Sequence, residues 1–286
     1  MIYVCIFFIF ESDMKELTVS EINTFIDALK RKSNYDFSEY SIKSFTRRVE
    51  KLLADYRTDV DGLIRKFSSE PAFLEELVRN ITVNTTEIFR DPELWKKINT
   101  EILPLYKNEM RINIWHAGAS TGQEVYTMLI LLKINGLFDK SKIYASDLNS
   151  EVLETAESGK YKYREIDEYI NNFNLTFDND KHYDINDYFK ISRTRNLIKV
   201  NSSLMDKAQY KKHDLTNLTN PFAVKYNIIL CRNVLIYFNN ELQNKVYKLF
   251  LDSLFTGGAL IVGKHEGILG DISEKFIKKG TIYIKK

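Results

Sequence analysis

The chain has 286 residues, 44% hydrophobic and 28% charged, with a formal net charge of +2. This describes a globular protein long enough for two modest domains or one large one, and the near-neutral charge excludes whole-molecule steering toward nucleic acid. The two cysteines, Cys5 and Cys231, fit neither a metal spacing nor a disulfide framework, so a reducing cytoplasm is expected.

Met1 to Phe10 are strongly apolar, yet lack a basic leader and a small-residue cleavage site. They fall short of the about 20 residues that span a bilayer. Residues 1–13 read as an upstream extension, with a buried edge strand as the alternative. Residues 14–90 read as a helical domain. Ser20 can cap a helix over Glu21–Lys32 whose apolar face is Ile22, Phe25, Ile26 and Leu29. Ile42, Phe45, Val49, Leu52 and Leu53 make a second amphipathic helix bearing Arg47, Arg48 and Lys51. Shorter helices are expected at Asp61–Phe67 and Pro71–Arg79. Another starts at Asp91-Pro92, since proline suits a first helical turn, and carries Leu94, Trp95, Ile98 and Leu103.

From 111 onward strands alternate with helices, which predicts an α/β domain over 91–286. Strands are predicted at 111–116, 142–147, 196–200, 225–231, 258–263 and 281–285. The stretch of about 160–200 is rich in Tyr, Asn and Asp and breaks the rhythm; it reads as an insertion with short strands.

Four constellations carry chemistry. The run from Asn113 to Tyr126 reads strand, turn with Gly118 and Gly122, then helix. Such a turn brings backbone N–H groups and a helix N-terminus close to a ligand. Next, an apolar strand ends in Ser146-Asp147-Leu148-Asn149. An acid there can accept hydrogen bonds from ribose hydroxyls, although Asp147 or Asn149 could instead cap the helix at 150–158. The third runs Tyr226 to Phe238, a buried strand leading into Arg232 and Asn233. Ligands sit beyond the carboxyl ends of strands in open α/β sheets, while an ion pair is the plain alternative for Arg232. The fourth, Asn84 to Pro92, is a capped helix start or a lid over a cofactor.

Together these residues resemble the CheR-type chemoreceptor glutamate methyltransferases, which depend on S-adenosylmethionine. The family's motifs read here as Asp-Phe-Ser-x-Tyr (36–40) with Arg47 and Arg48, Asn-x-Thr-x-x-Phe-Arg (84–90), Ala-Gly-x-Ser-Thr-Gly-x-Glu-x-Tyr (117–126), Ser-Asp (146–147), Ser-Gly-Lys-Tyr (158–161) and Cys-Arg-Asn-Val-Leu-Ile-Tyr-Phe (231–238). They occur in family order over about 14–286. The resemblance implies a Rossmann-like class I methyltransferase sheet, an N-terminal all-α domain and a small antiparallel β-subdomain inserted at about 160–200.

It also implies roles. Asn84, Thr86 and Arg90 would close over the cofactor, with Arg90 at the methionine carboxylate. Gly118 belongs to the cofactor turn, Glu124 would meet the methionine amino group and Asp147 the ribose. Arg232 and Asn233 would line the floor, and Tyr237 would stand near the transferable methyl. An Asn-Leu pair that follows the subdomain in the family reads here as Ser203-Leu204. Further departures are Val125-Tyr126-Thr127 for Pro-Tyr-Ser, Lys264-His265 within the late Gly-His-Ser-Glu, and Tyr106 near a functional arginine. The implied reaction is methylation of glutamate carboxylates on a chemoreceptor's cytoplasmic helices, with S-adenosylhomocysteine as product and no metal. Alternatives are carboxyl methylation of a non-receptor signalling protein, or a non-catalytic module sensing the cofactor. Arg47, Arg48 and Lys51 would dock the acidic receptor bundle. In some members the subdomain binds a receptor's C-terminal peptide. A cytoplasmic monomer without affinity for nucleic acid is expected.

Overall fold

The computed structural model describes residues 17–33, 35–82 and 85–286. The chain forms two compact units that divide between Ile81 and Thr82. The expected division at 90 lies later, but Ile88 and Phe89 are fully buried in the core of the second unit. The extension at 1–13 lies outside the described residues.

Among the described residues the first unit holds four helices: α1 (Val19–Lys32), α2 (Ile42–Tyr56), α3 (Val60–Ser69) and α4 (Pro71–Ile81). The cap of α1 is Thr18, not Ser20. Its hydroxyl accepts from the Glu21 N–H at 3.2 Å, and the Glu21 carboxylate accepts from the Thr18 N–H at 2.8 Å. This reciprocal pair satisfies two N–H groups at once, which a cap at Ser20 could not match. The predicted face of α1 is buried, and Phe25 packs on Phe45 and Phe67 with ring centroids 6.2 and 5.9 Å away. On α2, Lys43, Arg47 and Lys51 are exposed and follow each other at four-residue spacing on one face, while Arg48 is half-buried.

The second unit opens with α5 (Pro92–Lys97). The predicted long helix is shorter than expected. It widens into a π-helical turn at Ile98–Ile102 and tightens to a 3-10 turn at Leu103–Tyr106, where Pro104 cannot donate to an α-helical ladder. Then follow β1 (Ile112–Ala117), α6 (Gln123–Ile134), β2 (Ser141–Asp147), α7 (Ser150–Ser158), β3 (Lys160–Lys162), α8 (Ile166–Thr176), β4 (Phe189–Ser192), β5 (Leu197–Val200), α9 (Ser202–Met205), β6 (Ala208–Lys212), β7 (Tyr226–Cys231), α10 (Asn240–Ser253), β8 (Leu254–Val262), β9 (Phe276–Lys279) and β10 (Ile282–Lys285).

The main sheet has the order β6-β2-β1-β7-β8-β10-β9. It is parallel from β6 to β8, and β10 and β9 run antiparallel at one edge. Strand β7 is buried along its whole length, as a central parallel strand covered on both faces must be. The chain runs outward from β1 to β2 and β6, then returns to β7 on the other side of β1. The order therefore reverses between β1 and β7, and ligands in open α/β sheets bind at the carboxyl ends at such a reversal.

The insertion carries a separate antiparallel sheet of order β3-β5-β4. The strand predicted at 196–200 belongs there rather than to the main sheet. The insertion also contains α8, which was not expected. Ile166, Tyr169 and Phe173 are buried at helical spacing, a pattern obscured by the intervening Asn and Asp residues.

Candidate active site

Strand β1 ends in a turn that closes on itself. The N–H groups of Gly118 and Ala119 donate to the Ser146 carbonyl at 2.8 and 2.9 Å, and that of Gly122 to the Ala119 carbonyl at 3.0 Å. The Ser120 N–H donates to the Asp147 carboxylate at 2.8 Å. The N–H groups of Gly118, Ala119 and Ser120 thus lock the turn onto the end of β2, while that of Gly122 closes the turn on itself. Its glycines serve close approach. Gly118 has φ +86°, and a Cβ there would lie 2.3 Å from Val234 Cγ2. At Gly122, φ +88°, a Cβ would lie 2.6 Å from Ala156 Cβ on α7. Both positions are left-handed, where a side chain is strained.

Asp147 ends β2. One oxygen accepts from Ser120, and the other from the Asn149 N–H at 3.0 Å. The helix cap of α7 is Asn149, whose side chain accepts from the Glu151 N–H at 2.9 Å. Capping therefore does not occupy Asp147. Burial pushes its carboxyl above the usual range, more than the N–H donors lower it.

Glu124, in the first turn of α6, enters an ionic chain. Its Oε1 lies 2.8 Å from His116 Nδ1, and its Oε2 accepts from Arg232 Nη1 at 3.0 Å. Arg232 Nη2 donates to Asp91 at 2.6 Å and to the Arg90 carbonyl at 3.0 Å, with the guanidinium carbon 5.5 Å from the Trp95 ring centroid. The plain alternative for Arg232 holds, because it is ion-paired, and the pair ties the loop after β7 to the segment before α5. Burial opposes ionisation of Glu124, but the His116 hydrogen bond and the Arg232 charge outweigh it and hold the carboxyl below its ordinary range.

The loop after β7 is organised by a residue that sequence reasoning passed over. The Glu266 carboxylate accepts from the N–H groups of Asn233 (2.9 Å), Val234 (2.9 Å), Leu235 (2.8 Å), Ile236 (3.3 Å) and Gly263 (2.6 Å). Asn233 itself takes a left-handed φ of 60°. Tyr237 closes the short 3-10 turn at Leu235–Tyr237 and is half-buried. In the sequence Glu266 is visible as the acid of the late motif, directly after Lys264 and His265.

Arg90, Glu124 and Arg232 are thus brought together, and Gly118 and Asp147 meet through the turn. The Arg90 Nη1 donates to the Thr85 carbonyl at 3.1 Å, and Thr86 beside it is half-buried. Asn84 lies outside the described residues. Tyr106 donates to the Asn227 carbonyl at 2.9 Å and is buried in the core.

Ser203 and Leu204 do not join the cluster. Helix α9 precedes β6, so it stands at the amino ends of the strands. Ser203 is exposed beside Lys133 at the far end of α6, and Leu204 is fully buried in the core. The residues that follow β6 occupy the expected place instead. The His213 N–H donates to the Asp147 carbonyl at 2.8 Å, and Asp214 and Leu215 come next. Strand β6 is a largely polar edge strand, so its apolar pattern was too thin to mark it.

Residues 84–284 match the family described as CheR methyltransferase, SAM binding domain. The chain belongs to this family. The Pseudomonas putida protein named as methyltransferase Cher3 is 33% identical over 270 residues, covering 93% of this chain and 96% of that one. Chemotaxis protein methyltransferases of Listeria monocytogenes and Borreliella burgdorferi are 27% and 29% identical, covering 86% and 91% of this chain and 89% and 95% of theirs. The protein is a Rossmann-like methyltransferase of the chemotaxis family that uses S-adenosylmethionine. Among the described residues no helix is long and apolar enough to cross a membrane.

Proposed function

We propose that this protein methylates glutamate side chains on the cytoplasmic helices of a chemoreceptor, forming glutamyl methyl esters. The supporting observation is the meeting of Asp147, Glu124, Arg232 and the Glu266-held loop at the carboxyl ends of β1, β2 and β7, within the segment that matches the family.

The residues fit the cofactor by their donor and acceptor chemistry. A carboxylate has about four acceptor sites. Asp147 accepts one bond on each oxygen, from the Ser120 and Asn149 N–H groups, which leaves acceptor capacity for a ribose diol. Glu124 uses one site on each oxygen and keeps capacity for an ammonium. Arg90 and Thr86 would close the pocket at the methionine carboxylate, a contact suited to the guanidinium fork. Asp214 and Leu215 would line the adenosine side in place of Ser203 and Leu204. The bound cofactor supplies an electrophilic sulfonium methyl group.

The chain's own task is alignment. A glutamate carboxylate is already ionised near neutral pH, with an ordinary pKa of about 4.3, so no general base is required of the protein. Asn233 and Tyr237, fixed by the Glu266-held loop, would place that carboxylate in line with the methyl and strip water from it. The Lys43, Arg47 and Lys51 stripe on α2, with Arg48, would dock the acidic receptor bundle, and the small sheet would take a receptor's C-terminal segment by strand addition. We place the protein in the cytoplasm as a monomer.

The test is incubation with S-adenosylmethionine and a receptor cytoplasmic fragment, followed by peptide mass spectrometry. Base-labile methyl groups on glutamates are expected. A fragment that stays unmethylated while the protein binds S-adenosylhomocysteine would contradict the substrate assignment. Tyr237→Phe should slow transfer at least tenfold with product affinity kept.

A further inference from the structure

One buried titratable group is left unused by alignment, the imidazole of His116. It sits in the middle of the sheet on β1, paired with Ala145 on one side and Leu230 on the other, and is fully buried. Its Nδ1 lies 2.8 Å from Glu124 Oε1, and its Nε2 has no hydrogen-bond partner among the described residues. An ionised carboxylate can only accept, so Nδ1 carries the proton. The ring's one polar contact is thus Glu124. A half-satisfied ring in a central strand is unfavourable in itself, which asks what the contact to Glu124 achieves.

The geometry around Arg232 supplies the answer. An arginine and a carboxylate normally form two parallel hydrogen bonds. Here the pair makes one, from Nη1 to Oε2 at 3.0 Å. The second nitrogen, Nη2, is drawn off to Asp91 at 2.6 Å and to the Arg90 carbonyl, while Oε1 is drawn off to His116. The fork is pulled open from both sides. Were His116 unable to donate, Glu124 could rotate both oxygens onto the guanidinium, which would keep the number of its free acceptor sites but turn them away from their present direction.

We propose that His116 is a positioning residue that holds the Glu124 carboxylate apart from a bidentate pair with Arg232, so that it stays aimed at the amino group of the bound cofactor. This rests on the reading of Glu124 as the amino-group site. His116 is anchored by strand pairing on both sides, so the donor is fixed before any ligand arrives, and orientation of this kind is what an outer partner of a binding carboxylate supplies.

The experiment compares two ligands on the full chain by calorimetry. S-adenosylhomocysteine carries the amino group; 5′-methylthioadenosine shares the adenosine and thioether but lacks the amino acid. His116→Leu removes the donor. His116→Asn keeps an N–H near the Nδ1 position, whereas His116→Gln carries it to the Nε2 position. We expect His116→Leu to weaken S-adenosylhomocysteine about tenfold, the size of a lost hydrogen bond to a charged group, with 5′-methylthioadenosine unchanged and His116→Asn close to wild type. If His116→Leu does not fold, the contrast between the Asn and Gln variants decides, with only Gln weakened. Equal loss of both ligands, or no loss of S-adenosylhomocysteine in the Leu or Gln variant, would overturn the proposal. Failure of the wild type to bind S-adenosylhomocysteine would instead overturn the cofactor assignment beneath it.

Discussion

Glu266→Gln is the sharpest perturbation of the site that leaves its ligand-facing groups untouched. The carboxylate holds five backbone N–H groups from two segments, the loop after β7 and the turn after β8. Glutamine keeps the shape but replaces one oxygen by an amide donor. If the amide oxygen stays with Val234, Leu235 and Ile236, the NH2 group faces the N–H groups of Asn233 and Gly263, donor against donor. Two bonds to a charged acceptor are then lost, at roughly 1.5–3 kcal/mol each. The loss is about 3 kcal/mol at the lower end. For a unit of roughly 200 residues that lowers Tm by about 6–12 °C. Differential scanning calorimetry measures the shift, and the affinity for S-adenosylhomocysteine should fall in parallel because Arg232 and Asn233 ride on the released loop. A variant melting within about 2 °C of wild type with unchanged affinity would refute the role assigned to Glu266.

Gly118→Ala should weaken S-adenosylhomocysteine binding and lower Tm, since the new Cβ meets Val234 at 2.3 Å with φ at +86°. Gly136→Ala, with φ +67° and no atom within 4 Å, controls for backbone strain alone and should leave binding intact. The Glu124 carboxyl is held below its ordinary range, so the stability it contributes is present above the unfolded pKa of about 4.3 and is lost as pH falls through the folded value. Glu124→Gln should therefore melt earlier than wild type at pH 7, and the gap should narrow below about pH 4. Asp147 is shifted the other way. On acidification it takes up its proton at a higher pH than an unburied aspartate would, so S-adenosylhomocysteine affinity should decline correspondingly early, a decline that titration calorimetry across pH on wild type and Asp147→Asn would show.

Much of this architecture was written in the periodicity of the chain. Ser150–Ser158 is a helix as read, and the main-sheet strands ending at Asp147 and Cys231 lie where unbroken apolar runs stop at polar residues. These signals were strong because a central parallel strand must be apolar on both faces. The edges were harder. Strand β6, with Lys211 and Lys212 exposed, and the short strands β3 and β4 carry little apolar alternation. Missing β6 had a specific effect, since it hid that Asp214 and Leu215, rather than Ser203 and Leu204, follow a strand at the carboxyl end of the sheet beside Asp147. Among the site residues, Gly118, Asp147 and Arg232 could be named because strand-to-turn transitions mark them, whereas Glu124 was named through the family resemblance. Their partners could not. His116 looked like any strand residue, and Glu266 acts across more than thirty positions of chain on backbone groups, which no local pattern announces.

The most direct measurement is isothermal titration of S-adenosylhomocysteine into wild type and Asp147→Ala. The account predicts wild-type binding of about micromolar strength or tighter, near −8 kcal/mol, and a loss of at least tenfold in the variant. Wild-type binding left unchanged by Asp147→Ala would contradict the placement of the cofactor at the carboxyl end of β2, and with it the site built here.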